Sequence, residues 1–309
     1  MSRDVKGFYI SETTLYNLGI LPKNFPTPGC ALSPQVAASA GDDQDLKEEA
    51  PPRRPLPPRI TTLPFPCTPE NIPKMKEFLL DYYRYSVFNN RSEDPLPEMA
   101  GPPLEIHIDE TTKPFVCHKP ASVPIHWDEE FHQDLLRDVK KGVLEVVPHG
   151  EPVTHCHKVV LKRKPDGSFR RTVDYSPLNK HCTRETHSME SPVIVARRVP
   201  PHTWKTVTDA ADGYHSIPLR ESDRHLMTFI TTHGRFRSKR APQGFLSSGD
   251  GFNRRFAEIL ADFVRKERLT DDTLHYDTDL EQHWWRTFEF LDTVGRSGMV
   301  LKSNTINRK

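Results

Sequence analysis

Twenty of the chain's 29 prolines lie before residue 125, and that asymmetry decides where a regular fold can form. Proline fixes φ and removes a backbone donor, so a proline-dense stretch cannot supply sheet ladders or the interior of a long helix. The front of the chain therefore reads as connecting sequence and the back as the folded body. Residues 23–64 are assigned to a proline-rich, largely disordered linker, with 31–60 expected to lack fixed structure. Asp42, Asp43, Asp45, Glu48 and Glu49 have almost nothing apolar among them to bury. The run Pro51 to Arg59 favours polyproline II, and fits either an SH3-type ligand or a stiff spacer. Residues 65–125 precede the body. There Ile72, Met75, Phe78, Leu79, Tyr82 and Tyr83 recur at helical spacing.

No run of about 18 apolar residues exists, so no membrane span or membrane partner is expected. The first six residues lack an apolar signal-peptide region, and the five cysteines are odd in number and scattered. A reducing, intracellular setting (cytoplasm or nucleus) fits better than secretion. The formal net charge is only +1, so any polyanion binding must come from a local patch.

From residue 126 the pattern becomes that of a packed domain. Asp128 is expected to cap a helix carrying Phe131, Leu135, Leu136 and Val139, ended by Gly142. Val143–Val147 reads as a strand. Val159–Leu161 and Phe169–Tyr175 read as a hairpin around the Lys164–Gly167 turn. Thr206–Ala210 reads as another strand, and Met227–Thr231 with Gly234–Arg237 as a second hairpin. Phe252, Phe256, Ile259, Leu260 and Phe263 mark one helix, and Trp284, Phe288 and Leu291 another. Interleaved helices and hairpins imply an α+β fold with a mainly antiparallel sheet.

Two constellations could carry chemistry. Asp271 and Asp272 are adjacent, and with Asp209 they would offer carboxylate oxygens suited to Mg²⁺. Taken alone, the pair also fits a solvated turn. Lys158, Lys162, Arg163, Lys164, Arg170 and Arg171 surround one hairpin turn, a density that suits phosphate groups or merely keeps a sheet edge soluble. Pro242-Gln243-Gly244-Phe245 is a weaker signal, a glycine that lets backbone approach a ligand. His155-Cys156-His157 and His181-Cys182 match no finger-type zinc spacing, although His155 and His157 share one strand face and could both point outward.

The order and spacing of these pieces over residues 65–301 resemble the reverse transcriptase of gypsy-type LTR retrotransposons. Lys164–Arg170 with Val173–Asn179 looks like that family's fingers hairpin. Thr208–Leu219 is similar to the strand bearing its first catalytic aspartate, Pro242–Phe245 to its nucleotide-side loop, and Thr270–Thr273 to its catalytic pair. Residues 1–22 look like the C-terminal end of a retropepsin-like protease. The resemblance implies a right-hand polymerase, with residues 126–309 as fingers and partial palm of a pol polyprotein.

By the same resemblance, the chain is an RNA-directed DNA polymerase that adds a dNTP to a primer 3′-hydroxyl on an RNA or DNA template. Asp209, Asp271 and Asp272 would be catalytic and would hold two Mg²⁺ (or Mn²⁺) ions. Arg170 with Lys162 or Lys164 would grip the triphosphate, and Ala210 falls among the substrate-binding positions. Tyr214 would exclude a 2′-hydroxyl, and Gln243 would contact nucleotide or template. Departures from the family are Leu269 where an aromatic is usual, Lys266-Glu267-Arg268 leading into the pair, and Thr305 where a lysine is usual, with Lys302 as the only nearby candidate. Thumb, connection, RNase H and integrase sequences are not among the 309 residues, and the remainder of the polyprotein would be a further partner. The competing expectation is a non-catalytic remnant that binds nucleic acid through residues 158–171.

Overall fold

A computed structural model describes residues 55–88, 95–109, 111–165, 167–188 and 190–303. The protease-like stretch at 1–22, the linker up to residue 54, and Thr305 lie outside the described residues.

Two sheets organise the body, and the α+β expectation holds. The first has five strands in the order β1 (Leu144–Val146), β6 (Gly234–Ser238), β5 (Thr228–Thr231), β2 (His157–Arg163) and β3 (Phe169–Asp174). Both expected hairpins form, β2–β3 in register from Lys158 opposite Asp174 to Arg163 opposite Phe169, and β5–β6 around Thr232 and His233. One pair departs from the antiparallel pattern, since β2 runs parallel to β5 at His157–Phe229 and Lys158–Ile230. The second sheet has three strands, β4 (Trp204–Asp209), β8 (Asp272–Asp277) and β7 (Lys266–Leu269) in that order, all antiparallel.

The helices cover these sheets. They are α1 (Ile72–Tyr82), α2 (Ile125–Lys140), α3 (Ser176–Asn179), α4 (Pro192–Arg198), α5 (Ser248–Ile259) and α6 (Leu280–Arg296). The larger core joins Met75 and Leu79 of α1, Phe252 and Phe256 of α5, and Trp284, Phe290 and Leu291 of α6, each fully buried. A smaller core under the five-stranded sheet gathers Phe131 and Leu135 of α2 with Val159, Phe229 and Phe236. Among the described residues no helix is long and apolar enough to cross a membrane.

Three expectations need correction. Asp128 does not cap α2, which starts at Ile125 after Pro124. It lies in the first turn, where a carboxylate favours the helix dipole, and its Oδ1 is 3.0 Å from His233 Nε2. His155 and His157 point inward rather than outward. His157 is fully buried, with Nε2 2.9 Å from the Leu226 carbonyl and its ring edge-on to Tyr175. Residues 55–64, read as the end of the linker, are packed chain. Leu56, Ile60 and Leu63 lie against the larger core, and the Tyr82 hydroxyl donates to the Pro58 carbonyl. Prolines forbid regular structure here, but they do not prevent three apolar side chains from settling on a core built by other elements.

Candidate active site

The three-stranded sheet gathers the acidic residues at one end. β4 finishes on Asp209 and β8 begins on Asp272, and the two are direct cross-strand partners. Opposed residues in an antiparallel pair have Cα atoms about 4.5–5.5 Å apart and side chains on one face. Leu269 also pairs with Asp272, so β7 and β8 are joined by a two-residue turn, Thr270-Asp271. The Ala210 amide donates to the Asp271 carbonyl at 3.0 Å, which ties that turn to the end of β4. Thr270 has φ +54°. A β-branched residue in the left-handed region is strained, a condition that clusters at functional sites. Crowding has an electrostatic consequence as well. Burial, then the Asp209 and Asp271 charges, push the Asp272 carboxyl above the ordinary carboxylate range, and only Lys302 opposes them.

The charged approach to this turn is accommodated by the helix behind it. Arg268 places its guanidinium 4.1 Å from the Phe256 ring centre. It also donates to the Asn253 carbonyl, Asn253 Oδ1 and the Thr270 carbonyl, each at 3.3 Å. Burial lowers its pKa to about 10. Arg268 thus holds the strained turn from below, where the sequence pattern called for an apolar side chain.

A third segment closes the edge. The Ala211 amide donates to the Val300 carbonyl (2.8 Å), Ala210 bridges Leu301, and the Lys302 amide donates to the Asp209 carbonyl (3.0 Å). This brings Lys302 Nζ to 2.6 Å from Asp209 Oδ2. Among the described residues, no three His, Cys, Asp or Glu side chains converge as a ready ligand set. The donors nonetheless suit a hard divalent cation, being all carboxylate oxygens, and a cation already sits against one of them, the Lys302 ammonium.

Beside the acidic edge lies a cavity of about 260 Å³, lined among others by Arg170, Ala210, Tyr214, Gln243, Asp271 and Lys302. Six of the residues singled out in the sequence therefore line one cavity. Arg170 Nη2 donates to Gln243 Oε1 at 2.7 Å, locking β3 to the loop after β6. The glycine of that loop serves the fold directly. Gly244 has φ +96°, and a Cβ there would stand 3.0 Å from the Val173 carbonyl oxygen. Tyr214 packs edge-on to Phe252 at 5.9 Å, and burial, then Asp271, raise its phenol pKa.

The basic residues divide. Lys164 lines a neighbouring cavity of about 500 Å³ together with Arg170 and Gln243. Lys162 is exposed opposite Arg170 on the hairpin and lines neither cavity. Arg171 is not available as a phosphate contact, because its guanidinium is committed to Asp134 (3.1 Å) and Asp138. Sequence reasoning missed the support around the site. Asp212 accepts an ion pair from Lys141 at 3.3 Å, and buried Asp250 holds Arg184 at 2.7 Å. Neither pair is close in sequence, so no spacing signal could have shown it.

The chain is similar to known proteins in sequence and in fold. Residues 162–304 match the family described as reverse transcriptase (RNA-dependent DNA polymerase). The chain is 24% identical over 197 residues to a retrovirus-related Pol polyprotein from the transposon opus of Drosophila melanogaster, covering 61% of this chain and 19% of that protein. It is 21% identical over 175 residues to the Tf2-3 transposon polyprotein of Schizosaccharomyces pombe, covering 56% and 13%. It thus spans a fifth or less of the length of these relatives. Among solved structures, the prototype foamy virus protease–reverse transcriptase superposes with a TM-score of 0.67 at 19% identity, covering 76% of this chain and 31% of that one. A foamy viral protease–reverse transcriptase in complex with dsDNA superposes with a TM-score of 0.64 at 17% identity, covering 81% and 53%.

Proposed function

We propose that residues 162–304, which match the reverse transcriptase family and resemble transposon Pol polyproteins, form a reverse transcriptase domain whose acidic edge and cavity catalyse template-directed DNA synthesis. The reaction is transfer of a dNTP to a primer 3′-hydroxyl on an RNA or DNA template. The observation that carries this reading is the cross-strand pairing of Asp209 with Asp272, one residue from Asp271, beside the cavity of Arg170, Tyr214 and Gln243.

Each side chain has a task fitted to its chemistry. Asp209, Asp271 and Asp272 would hold two Mg²⁺ or Mn²⁺ ions. Bound there, such ions supply neutralisation of charge on the attacking and leaving oxygens. Arg170 offers a planar pair of donors to triphosphate oxygens, and Gln243 keeps that guanidinium aimed. Lys164 adds a second positive charge from the hairpin. Ala210 leaves room beside the sugar, and the Tyr214 ring, fixed against Phe252, forms a floor that a 2′-hydroxyl would strike. Positioning matters because misplacement of about 1 Å can cost about 100-fold in phosphoryl transfer.

Primer extension with Mg²⁺ or Mn²⁺ tests the proposal. Asp209→Asn, in which shape is kept and the charge removed, is expected to abolish extension while leaving the unfolding curve intact. Equal extension by Asp209→Asn and the parent would refute it. Salt-sensitive duplex binding without any extension would favour a chain that only binds nucleic acid.

A further inference from the structure

Lys302 stands out because it occupies the cation position at Asp209 while belonging to the segment that follows α6. Its side chain is not there by chance of a long flexible arm. The backbone of residues 300–302 is paired to residues 209–211, with Leu301 bridging Ala210 and the Lys302 amide on the Asp209 carbonyl. The ammonium is therefore delivered to Asp209 Oδ2, at 2.6 Å, by the strand edge itself. It also lines the cavity of Arg170, Tyr214 and Asp271.

We propose that Lys302 is a resident counter-ion of Asp209, which must leave Oδ2 before a divalent metal can be held on that oxygen. This deepens the reading of Asp209 as a metal ligand and rests on it. The physical argument is competition. One carboxylate oxygen cannot accept an ammonium at 2.6 Å and coordinate a metal at about 2.1 Å along the same direction. Displacing a half-exposed ion pair opposes metal entry modestly, since such pairs are worth roughly 1 kcal/mol or less, an upper limit of about fivefold in affinity. The lysine has a short path to travel. Swung away, its ammonium remains in the same cavity as Arg170, where a polyphosphate would offer it new partners. Metal and nucleotide would then be linked: a ligand that takes the ammonium from Asp209 makes that carboxylate available, and binding of either favours the other.

The test measures Mn²⁺ binding to the full chain by the loss of the free-ion electron paramagnetic signal, without substrate. Lys302→Met is expected to bind Mn²⁺ up to about fivefold more tightly than the parent, and Lys302→Arg, which keeps the charge, to bind as the parent does. Inorganic triphosphate is expected to strengthen Mn²⁺ binding more in the parent than in Lys302→Met. A second measurement needs no variant. Labelling of Lys302 by an amine-reactive ester, relative to exposed Lys158, is expected to rise on addition of Mg²⁺. Equal Mn²⁺ affinity in the parent and Lys302→Met, with binding lost in Asp209→Asn, would overturn the counter-ion role and leave the metal site standing. Mn²⁺ binding unaffected by Asp209→Asn, or absent from every form, would overturn both.

Discussion

Replacing Gly213 by alanine isolates the support beneath the cavity. The glycine backbone sits at φ −50°, ψ −46°, a conformation alanine accepts freely. Loss of unfolded-state entropy alone would therefore stabilise the variant by about 0.4–1 kcal/mol. Contact reverses the sign. A Cβ at this position would lie 2.9, 3.0 and 3.4 Å from Cζ, Cε2 and Cε1 of Phe252, well inside the 3.5–4.0 Å at which carbon atoms attract. Phe252 cannot turn away. It is fully buried, with the Tyr214 ring centre at 5.9 Å and the Phe256 ring centre at 5.6 Å. Overpacking of this kind costs about 1–3 kcal/mol, so the net destabilisation is between about 0 and 2.6 kcal/mol. Urea unfolding followed by tryptophan fluorescence reads it as a lower midpoint at unchanged slope. Combined with Phe252→Leu, the same substitution should become neutral or stabilising, giving a coupling energy of about 1–3 kcal/mol in the double-mutant cycle. In primer extension, the dNTP KM should rise, because Tyr214 is the next residue. A Gly213→Ala protein more stable than its parent, or a cycle with no coupling, would refute the reasoning.

Three further outcomes follow from the same geometry. Asp272→Asn should raise the urea midpoint slightly at neutral pH, by roughly a few tenths of a kcal/mol for so exposed a group. The sign follows from the raised carboxyl: its contribution to stability is full below the unfolded pKa near 3.9 and is lost as pH rises through the folded value, so the variant's advantage should vanish near pH 3. Arg268→Ala should destabilise the domain by about 1–3 kcal/mol, since it strands the Asn253 and Thr270 acceptors and removes the stack on Phe256, and Arg268→Lys should recover little of it. Duplex binding should weaken with salt at a slope of about −4 to −5, for the five hairpin cations other than Arg171; Arg171→Gln should leave that slope unchanged while lowering stability.

Much of this architecture was legible because its signals are local. The Lys164–Gly167 turn and the Thr232–Gly234 turn each lie between alternating apolar runs, and both hairpins formed in the expected places. The adjacent Asp271 and Asp272 and a strand over Thr206–Ala210 were also marked, although the pair alone fitted a solvated turn as well, and the register of β4 on β8 sets Asp209 opposite Asp272. What escaped was carried by contacts distant in sequence. Nothing near His157 announces that β2 runs parallel to β5, and that pairing is what buries the imidazole. Lys266-Glu267-Arg268 looked hostile to a strand because the acceptor for Arg268 is a phenylalanine on a helix 12 residues upstream. Lys302 was visible as a lysine near the right place, but only the pairing of residues 300–302 with 209–211 shows which carboxylate it meets. In residues 55–64 the prolines masked three apolar residues that a core formed elsewhere could still receive.

The cavity's walls belong to different sheets. Asp271 rides on the three-stranded one, Arg170 on the five-stranded one, and Gln243 follows the latter's strand β6. Within each sheet, distances are set by backbone ladders that resist change. The segments that follow β4 and β6 are tied to each other by the isolated bridge of Pro218 with Arg240, and Tyr175, Ala210, Ala241 and Phe245 share one core beneath them. A molecule that touches both walls therefore spans two separately laddered sheets. Its fit depends on how the two sheets are packed against each other as well as on the side chains between them. A substitution in the packing between the sheets is therefore expected to change the span of the cavity without touching any residue that lines it.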